Sequence, residues 1–333
     1  MKPVIFGLSG LALTDAERAF FRSADPCGFI LFKRNVDTRA QMRALTDELR
    51  ALTGRNDVPI LLDQEGGRVA RMGPPEWPAF PAGPAFDALY EVAPISAIEA
   101  ARANAHALAL MLAEVGINVD CMPLLDVAQP DTTEAIACRL YGREPQRVAA
   151  MGRAALDGLA RGGVAGVVKH LPGYGRAVID PHYGLPVVSA SAEALDIDLA
   201  PFIALKDATM GMTSHIVFEA WDAERPATLS PVIVEEIIRR RIGFDGLLMT
   251  DDIDMKALSG TAGEKAVGAL AAGCDIVLDC WARMAEMEDI AGRIGDIAPV
   301  SRARLDRALA AITPPTGDAA ALTAKRDALL GMV

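Results

Sequence analysis

Between Lys169 and Pro186 the chain reads KHLPGYGRAVIDPHYGLP, where groups able to carry protons or charge are set among glycines and prolines. The apolar run Val164 to Val168 just before it reads as a buried parallel strand, which places Lys169 and His170 at its C-terminal end. Pro172, Gly173 and Gly175 exclude a regular element after that point, and Pro181 biases Asp180 toward an extended backbone. Residues two apart on an extended chain point to the same side, so the Asp180 carboxylate can hold the His182 ring. Such a pair is a proton-transfer device: the carboxylate fixes the tautomer and raises the basicity of an imidazole whose unperturbed pKa is about 6.5.

Two other stretches carry chemistry. LLDQEGGRVARM, from Leu61 to Met72, puts Asp63 and Glu65 at a strand end, follows them with a Gly66-Gly67 turn, and returns with Arg68 and Arg71. A carboxylate in that position suits paired hydrogen bonds to sugar hydroxyls and an arginine suits an oxygen-rich ligand, so Asp63 and Arg71 are the binding candidates. Glu65 and Arg68 read as a salt-bridge network within the turn. Arg139, an isolated charge in AIACRLYG, is a third ligand candidate, while Asp126 in MPLLDV reads as structural. FDGLLMTDDIDM brings Asp251 and Asp252 to a strand end, where a carboxylate nucleophile would sit. Adjacent residues on an extended chain point opposite ways, so one of the two faces the substrate and the other caps the next helix or bonds backbone. Asp254 reads as a surface residue.

These segments need a frame that brings strand ends together. Apolar runs recur at Val4 to Leu8, Gly28 to Phe32, Val58 to Leu62, Ile117 to Met122, Val164 to Val168, Met210 to Thr213, Gly246 to Met249 and Asp275 to Leu278. Helical periodicity fills the intervals, over Asp37 to Thr53, Ile98 to Val115, Pro145 to Arg161, Ser191 to Lys206, Pro231 to Arg241 and Ala262 to Ala272. The alternation, with no linker longer than a loop, predicts an α/β fold with a single (β/α)8 TIM-type barrel over residues 1–313; two domains are the weaker alternative. Residues 314–333 form a tail and helix packed on the barrel, and Ser301 to Ile312 a helix that caps it. In such a barrel Asp63, Lys169, His170, His215, Asp251 and Asp252 face one another across one mouth.

Composition narrows the classes. The 333 residues carry a formal charge of −11 with a pI near 4.9, against the basic face that nucleic acid or an anionic membrane requires. Five cysteines with no paired ligand spacing suggest neither a disulfide framework nor a zinc cage, and fit reduced cytosolic thiols. No apolar stretch reaches the roughly 18 residues of a membrane span, and Thr14 to Glu17 reads as a helix capping box where a secretory signal would have its cleavage site. A metal-dependent hydrolase on a barrel needs an early His-x-His, whereas the histidine preceding His170 is His106, within a helix. No phosphate-binding glycine loop is present. No metal and no cofactor are expected, and the expected partner is a small-molecule sugar bound by a cytoplasmic monomer.

Taken together, GFDGLLMTDDIDM, LDQEGGRVARM and KHLPGYGRAVIDPHYGLP resemble the nucleophile strand, the sugar-binding turn and the histidine loop of family 3 glycoside hydrolases. The likeness is to the bacterial single-domain β-N-acetylglucosaminidases and also covers GLSGLALT, AIACRLYG, MTSHIVF and ALAAGCDIVL. It implies Asp251 as nucleophile, His182 as general acid/base oriented by Asp180, and Asp63, Arg71, Arg139, Lys169 and His170 as residues holding the sugar and its 2-acetamido group. It implies a retaining exo-enzyme that removes terminal N-acetylglucosamine without a metal, from recycled peptidoglycan fragments. Tyr174 stands where the family usually has histidine, and Pro181 where it usually has serine. Phosphorolysis by the same residues, and a sugar-binding barrel without catalysis, are the alternatives.

Overall fold

Each apolar run is short enough to be one strand and each periodic segment long enough to cover it, and the chain closes on itself accordingly. The computed structural model describes residues 1–181 and 183–332. Strands Lys2–Gly7 (β1), Pro26–Leu31 (β2), Ile60–Leu62 (β3), Val119–Asp120 (β4), Ala165–Leu171 (β5), Met210–Thr213 (β6), Leu247–Asp252 (β7) and Ile276–Asp279 (β8) form a closed barrel, each paired in parallel with its sequence neighbours and β8 with β1. Alternation along each strand divides two cores. Ile5, Ile30, Leu61, Val119, Val167, Met210, Met249 and Ile276 fill the barrel, whereas Val4, Phe6, Phe29, Leu62, Val168, Leu248 and Val277 face the surrounding helices. Burial on both faces is why the strands read as continuous apolar runs.

The longer helices are Asp15–Ala24 (α1), Arg39–Thr53 (α2), Gly83–Val92 (α3), Pro94–Glu114 (α4), Pro145–Arg161 (α5), Asp196–Ala204 (α6), Ile233–Ile242 (α7), Ala262–Ala272 (α8), Met284–Arg293 (α9), Pro299–Ala310 (α10) and Ala319–Leu330 (α11). The Thr14 capping box starts α1, and Ser230 caps the turn into α7, its hydroxyl accepting from Ile233 N at 3.1 Å. α3 and α9 add to the helices read from periodicity. α6 is shorter than Ser191 to Lys206, because the Ser191 hydroxyl accepts from Ala194 N and holds a turn there instead. β5 is longer than expected, so Lys169 and His170 lie within the strand rather than after it.

The N-terminal face of the barrel is closed by α10. Leu305 and Ala308 join the interior core, and Arg304 and Arg307 both bond Asp245, two residues before β7. α11 lies along α4, where Arg326 donates to Asn104 at 3.1 Å and Lys325 to Glu99 at 2.5 Å. With one face closed, strand-end chemistry is confined to the other. Among the described residues no helix is long and apolar enough to cross a membrane.

Candidate active site

The turn after β3 is a small hairpin, Gln64–Gly66 against Val69–Ala70. Gly66 and Gly67 turn it with φ of 99° and 56°, a region that favours glycine. Gln64 is fully buried and clamps the return strand: its Oε1 accepts from Arg71 N and Met72 N at 2.9 and 3.0 Å, and its Nε2 donates to Met72 O at 2.8 Å. This brings the Arg71 guanidinium onto Asp63 at 3.0 Å. Arg71 also lies over the Phe32 ring, 5.3 Å from its centroid, with Arg34 5.0 Å from the same centroid.

Asp63 and Glu65 converge on one buried amine. Lys169 Nζ reaches Asp63 at 3.2 Å and Glu65 at 2.7 Å, and Arg139 grips Glu65 with two bonds, 2.8 Å from Nε and 2.6 Å from Nη2. Charges therefore alternate along Arg71, Asp63, Lys169, Glu65 and Arg139. Burial alone would raise the Asp63 carboxyl, but Lys169 and Arg71 outweigh it and hold the group well below the usual carboxylate range. Glu65 is likewise brought down to about 2 by Arg139 and Lys169 against its burial. Burial would lower Lys169, yet Glu65 and Asp63 push its pKa above that of an ordinary lysine. Asp63, Glu65 and Lys169 therefore stay ionised across the ordinary pH range. The expected Glu65–Arg68 pair does not form: Glu65 belongs to this buried network, and Arg68 instead donates to the carbonyl of Ala135.

His170 is fixed by Asp126, the carboxylate read above as structural. Its Nδ1 pairs with Asp126 Oδ2 at 2.8 Å, while Asp126 Oδ1 accepts from the backbone N–H groups of His170 and Tyr174 at 3.2 and 2.7 Å. The Tyr174 ring meets His170 edge-on at 5.4 Å. Burial, then the nearby carboxylates of Asp180 and Asp251, raise the Tyr174 phenol, so it stays a hydrogen-bond donor. β5 slips against β6 between Lys169 and Leu171, and both Lys169 and His170 line the cavity.

At the end of β7 the pairing with β8 also shifts, between Met249 and Asp252. Asp251 and Asp252 consequently both border the cavity, where strict alternation predicts one. They differ in their bonds. Asp251 Oδ1 accepts from Asp252 N at 2.8 Å, whereas Asp252 Oδ1 is taken up by the N–H groups of Asp254 and Cys280, both at 3.2 Å. Asp254 is not a free surface residue but pairs with Arg283 at 2.5 Å. His215 is buried behind the strand ends, bonded to the Thr228 hydroxyl at 2.7 Å and the Asp252 carbonyl at 2.9 Å, and does not border the cavity.

The cavity at this face has a volume of about 380 Å³, the size of a small-ligand site. Asp63, Arg71, Arg139, Lys169, His170, Asp180 and Asp251 all border it. The loop bearing Asp180 is tied at its start, where the Thr132 hydroxyl donates to Gly175 O and Arg176 to Asp198, each at 2.6 Å. Near its end Val187–Val188 pairs with Val217–Phe218. At its middle Ala257 N donates to Pro181 O at 3.1 Å. His182 lies outside the described residues. Among the described residues no cluster of histidine, cysteine and carboxylate side chains is arranged to hold a metal ion.

A parallel (β/α)8 barrel with paired carboxylates and cations at the C-terminal ends of its strands is the build of a barrel enzyme acting on a polyhydroxylated substrate. Comparison with known proteins makes this specific. Residues 9–314 match the model described as the N-terminal domain of glycosyl hydrolase family 3. Relatives include a β-hexosaminidase of Chromobacterium violaceum, 39% identical over 286 residues that cover 84% of this chain and 78% of that protein. Another is a β-hexosaminidase of Bordetella avium, 34% identical over 95% of this chain and 90% of its own length. Among solved structures, NagZ from Neisseria gonorrhoeae in complex with N-trifluoroacetyl-D-glucosamine superposes with a TM-score of 0.87 at 30% identity, covering 99% of this chain and 98% of that one. The chain belongs to glycosyl hydrolase family 3 and is a glycoside hydrolase.

Proposed function

We propose that the protein is a retaining exo-β-N-acetylglucosaminidase that removes terminal N-acetylglucosamine from peptidoglycan-derived muropeptides by double displacement. The observation that carries the reading is one cavity bordered by Asp251, Asp180, Arg71, Asp63, Lys169 and Arg139, the last two linked behind it through Glu65. The β-hexosaminidase relatives, and the N-trifluoroacetylglucosamine held by the gonococcal neighbour, favour a 2-acetamido sugar. In this reading Asp63 and Arg71 hold ring hydroxyls, while Lys169, His170 and Arg139 surround the 2-acetamido side. Asp251, its carboxylate oriented by the Asp252 N–H, attacks the anomeric carbon. Protonated His182, with Asp180 as its carboxylate partner, gives its proton to the leaving oxygen. Neutral His182 then takes a proton from the water that releases the sugar from Asp251.

The test uses a chromogenic β-N-acetylglucosaminide beside the β-glucoside, and a 5-fluoro N-acetylglucosaminyl fluoride to trap the intermediate. Preference for the acetamido sugar, and a sugar mass on the peptide at Asp251, are expected. Equal efficiency on the glucoside, or label on Asp252, overturns the assignment. Sugar 1-phosphate in place of free N-acetylglucosamine when phosphate is present identifies a phosphorylase.

A further inference from the structure

The rim of the cavity carries a tryptophan that the reaction above does not use. Trp281 borders the cavity, yet 54% of its surface is exposed. A lone exposed apolar side chain is ordinary; what sets this one apart is the backbone beneath it. On one side Cys280 N donates to Asp252 Oδ1 at 3.2 Å, and the Cys280 carbonyl accepts from the Arg34 guanidinium. Gly7 makes that approach possible, since a Cβ there would lie 2.2 Å from the same carbonyl. On the other side Ala282 adopts φ of 57°, a left-handed conformation that is unfavourable for a residue other than glycine. Arg283 then locks the turn through Asp254 at 2.5 Å and Glu286 at 2.6 Å. A strained turn tied to the Asp251–Asp254 segment thus holds an indole at the mouth without burying it.

This geometry meets the substrate where the scissile bond points outward. If the network residues hold the sugar that is transferred to Asp251 deep in the cavity, the leaving group joined through the glycosidic oxygen extends toward the rim. Pyranose rings present faces of C–H groups to an aromatic plane, while their hydroxyls stay hydrated. We infer that Trp281 is the platform of the leaving-group subsite, stacking the ring of a second pyranose and selecting disaccharide-like substrates and sugar acceptors. The inference rests on the glycosidase reading given above.

The test is the partitioning of the glycosyl-enzyme. A sugar acceptor's hydroxyl oxygen attacks the anomeric carbon, the bond to Asp251 breaks with its electrons returning to the carboxylate, and the hydroxyl proton passes to His182; water reacts in the same way. With the chromogenic N-acetylglucosaminide and methyl β-D-glucopyranoside as acceptor, the ratio of transfer product to free sugar is measured for wild type, Trp281→Ala and Trp281→Phe. The ratio is expected to fall about 10-fold in Trp281→Ala and to be largely kept in Trp281→Phe. A structural role alone would slow both branches together and leave the ratio unchanged, and that outcome overturns the inference. So does a wild type that hydrolyses the substrate with no transfer to acceptor at any concentration. A wild type that fails to cleave the substrate instead marks failure of the glycosidase reading itself.

Discussion

On the strand-end wall, Asp63, Glu65 and Lys169 are held by one another and by Arg71 and Arg139, whereas the loop from Pro172 to Pro186 presents Val178, Ile179 and Tyr183 to solvent. Both border the same cavity. The wall's charges were desolvated and paired when the barrel folded, so a sugar meets donors and acceptors already in place. Among the described residues the loop is tied to the barrel at Tyr174, Gly175, Arg176, Ala177, Pro181 and Pro186, with Val178, Ile179 and Tyr183 exposed between these points. A group that exchanges protons with water at each turnover is better placed on such a segment than in a sealed salt network. In the proposed reaction, recognition thus belongs to the strands and proton transfer to the loop.

Breaking the wall should have the largest effect. Lys169→Met leaves Asp63 and Glu65 sharing a buried space with their common cation gone. Removing one partner of a buried ionic network costs about 3–5 kcal/mol of stability. We expect urea unfolding to show a loss of that order, together with a fall in kcat/KM of roughly 1000-fold. A variant that loses activity with an unchanged unfolding midpoint would show that the network is not what holds the wall. On the loop the opposite balance is expected. Asp180→Asn should lower kcat/KM by roughly 10- to 100-fold with a much smaller change in midpoint than Lys169→Met. Its defect should grow along a series of glycosides with increasingly basic leaving groups, because these depend most on a proton from His182. A uniform defect across the series would make Asp180 a positioning group for the sugar and remove the loop's separate role.

The frame and the location of this chemistry were legible in the sequence, because strands buried on both faces read as apolar runs and barrel strand ends converge. The pairings were not. Glu65 and Arg139 lie 74 residues apart in sequence, and Asp63 and Lys169 lie 106 apart, so no local pattern links them. One clue did exist: Asp63 and Glu65 are two apart on an extended segment and must share a side, which argues for a common cation rather than a pair with nearby Arg68. The cavity exposure of both Asp251 and Asp252 was hidden for a different reason. It depends on a shift of register against β8, which is set by the neighbouring strand. Asp126 showed no partner in sequence because one of its partners is a ring 44 residues away.

The smallest effect sharpens the comparison by testing a strand-end charge that lacks such partners. Asp279 closes β8 with no exposed surface, and among the described residues neither of its oxygens has a hydrogen-bond partner. Burial, followed by the carboxylates of Asp252, Glu286 and Asp254, pushes its pKa up to about 7, with Arg283 acting the other way. An unfolded aspartate titrates near 3.9. Between those values the folded protein binds a proton that the unfolded chain has released, so stability falls as pH rises through the window and levels off above it. Asp279→Asn keeps the shape and removes the charge. It should therefore be more stable than wild type at pH 8, by about 1–3 kcal/mol, with the advantage shrinking toward pH 4. Asp252, raised to about 6 chiefly by burial and also by Asp251, adds a loss of the same sign in both proteins. The wall has the reverse dependence. Asp63 and Glu65 are held below their ordinary values, so their contribution is present at neutral pH and is lost only as pH falls toward 2. Urea midpoints of wild type and Asp279→Asn at pH 4 and pH 8 decide the matter. A difference that is the same at both pH values would mean that Asp279 is not penalised by its charge, and that pairing is not what separates it from the strand-end wall.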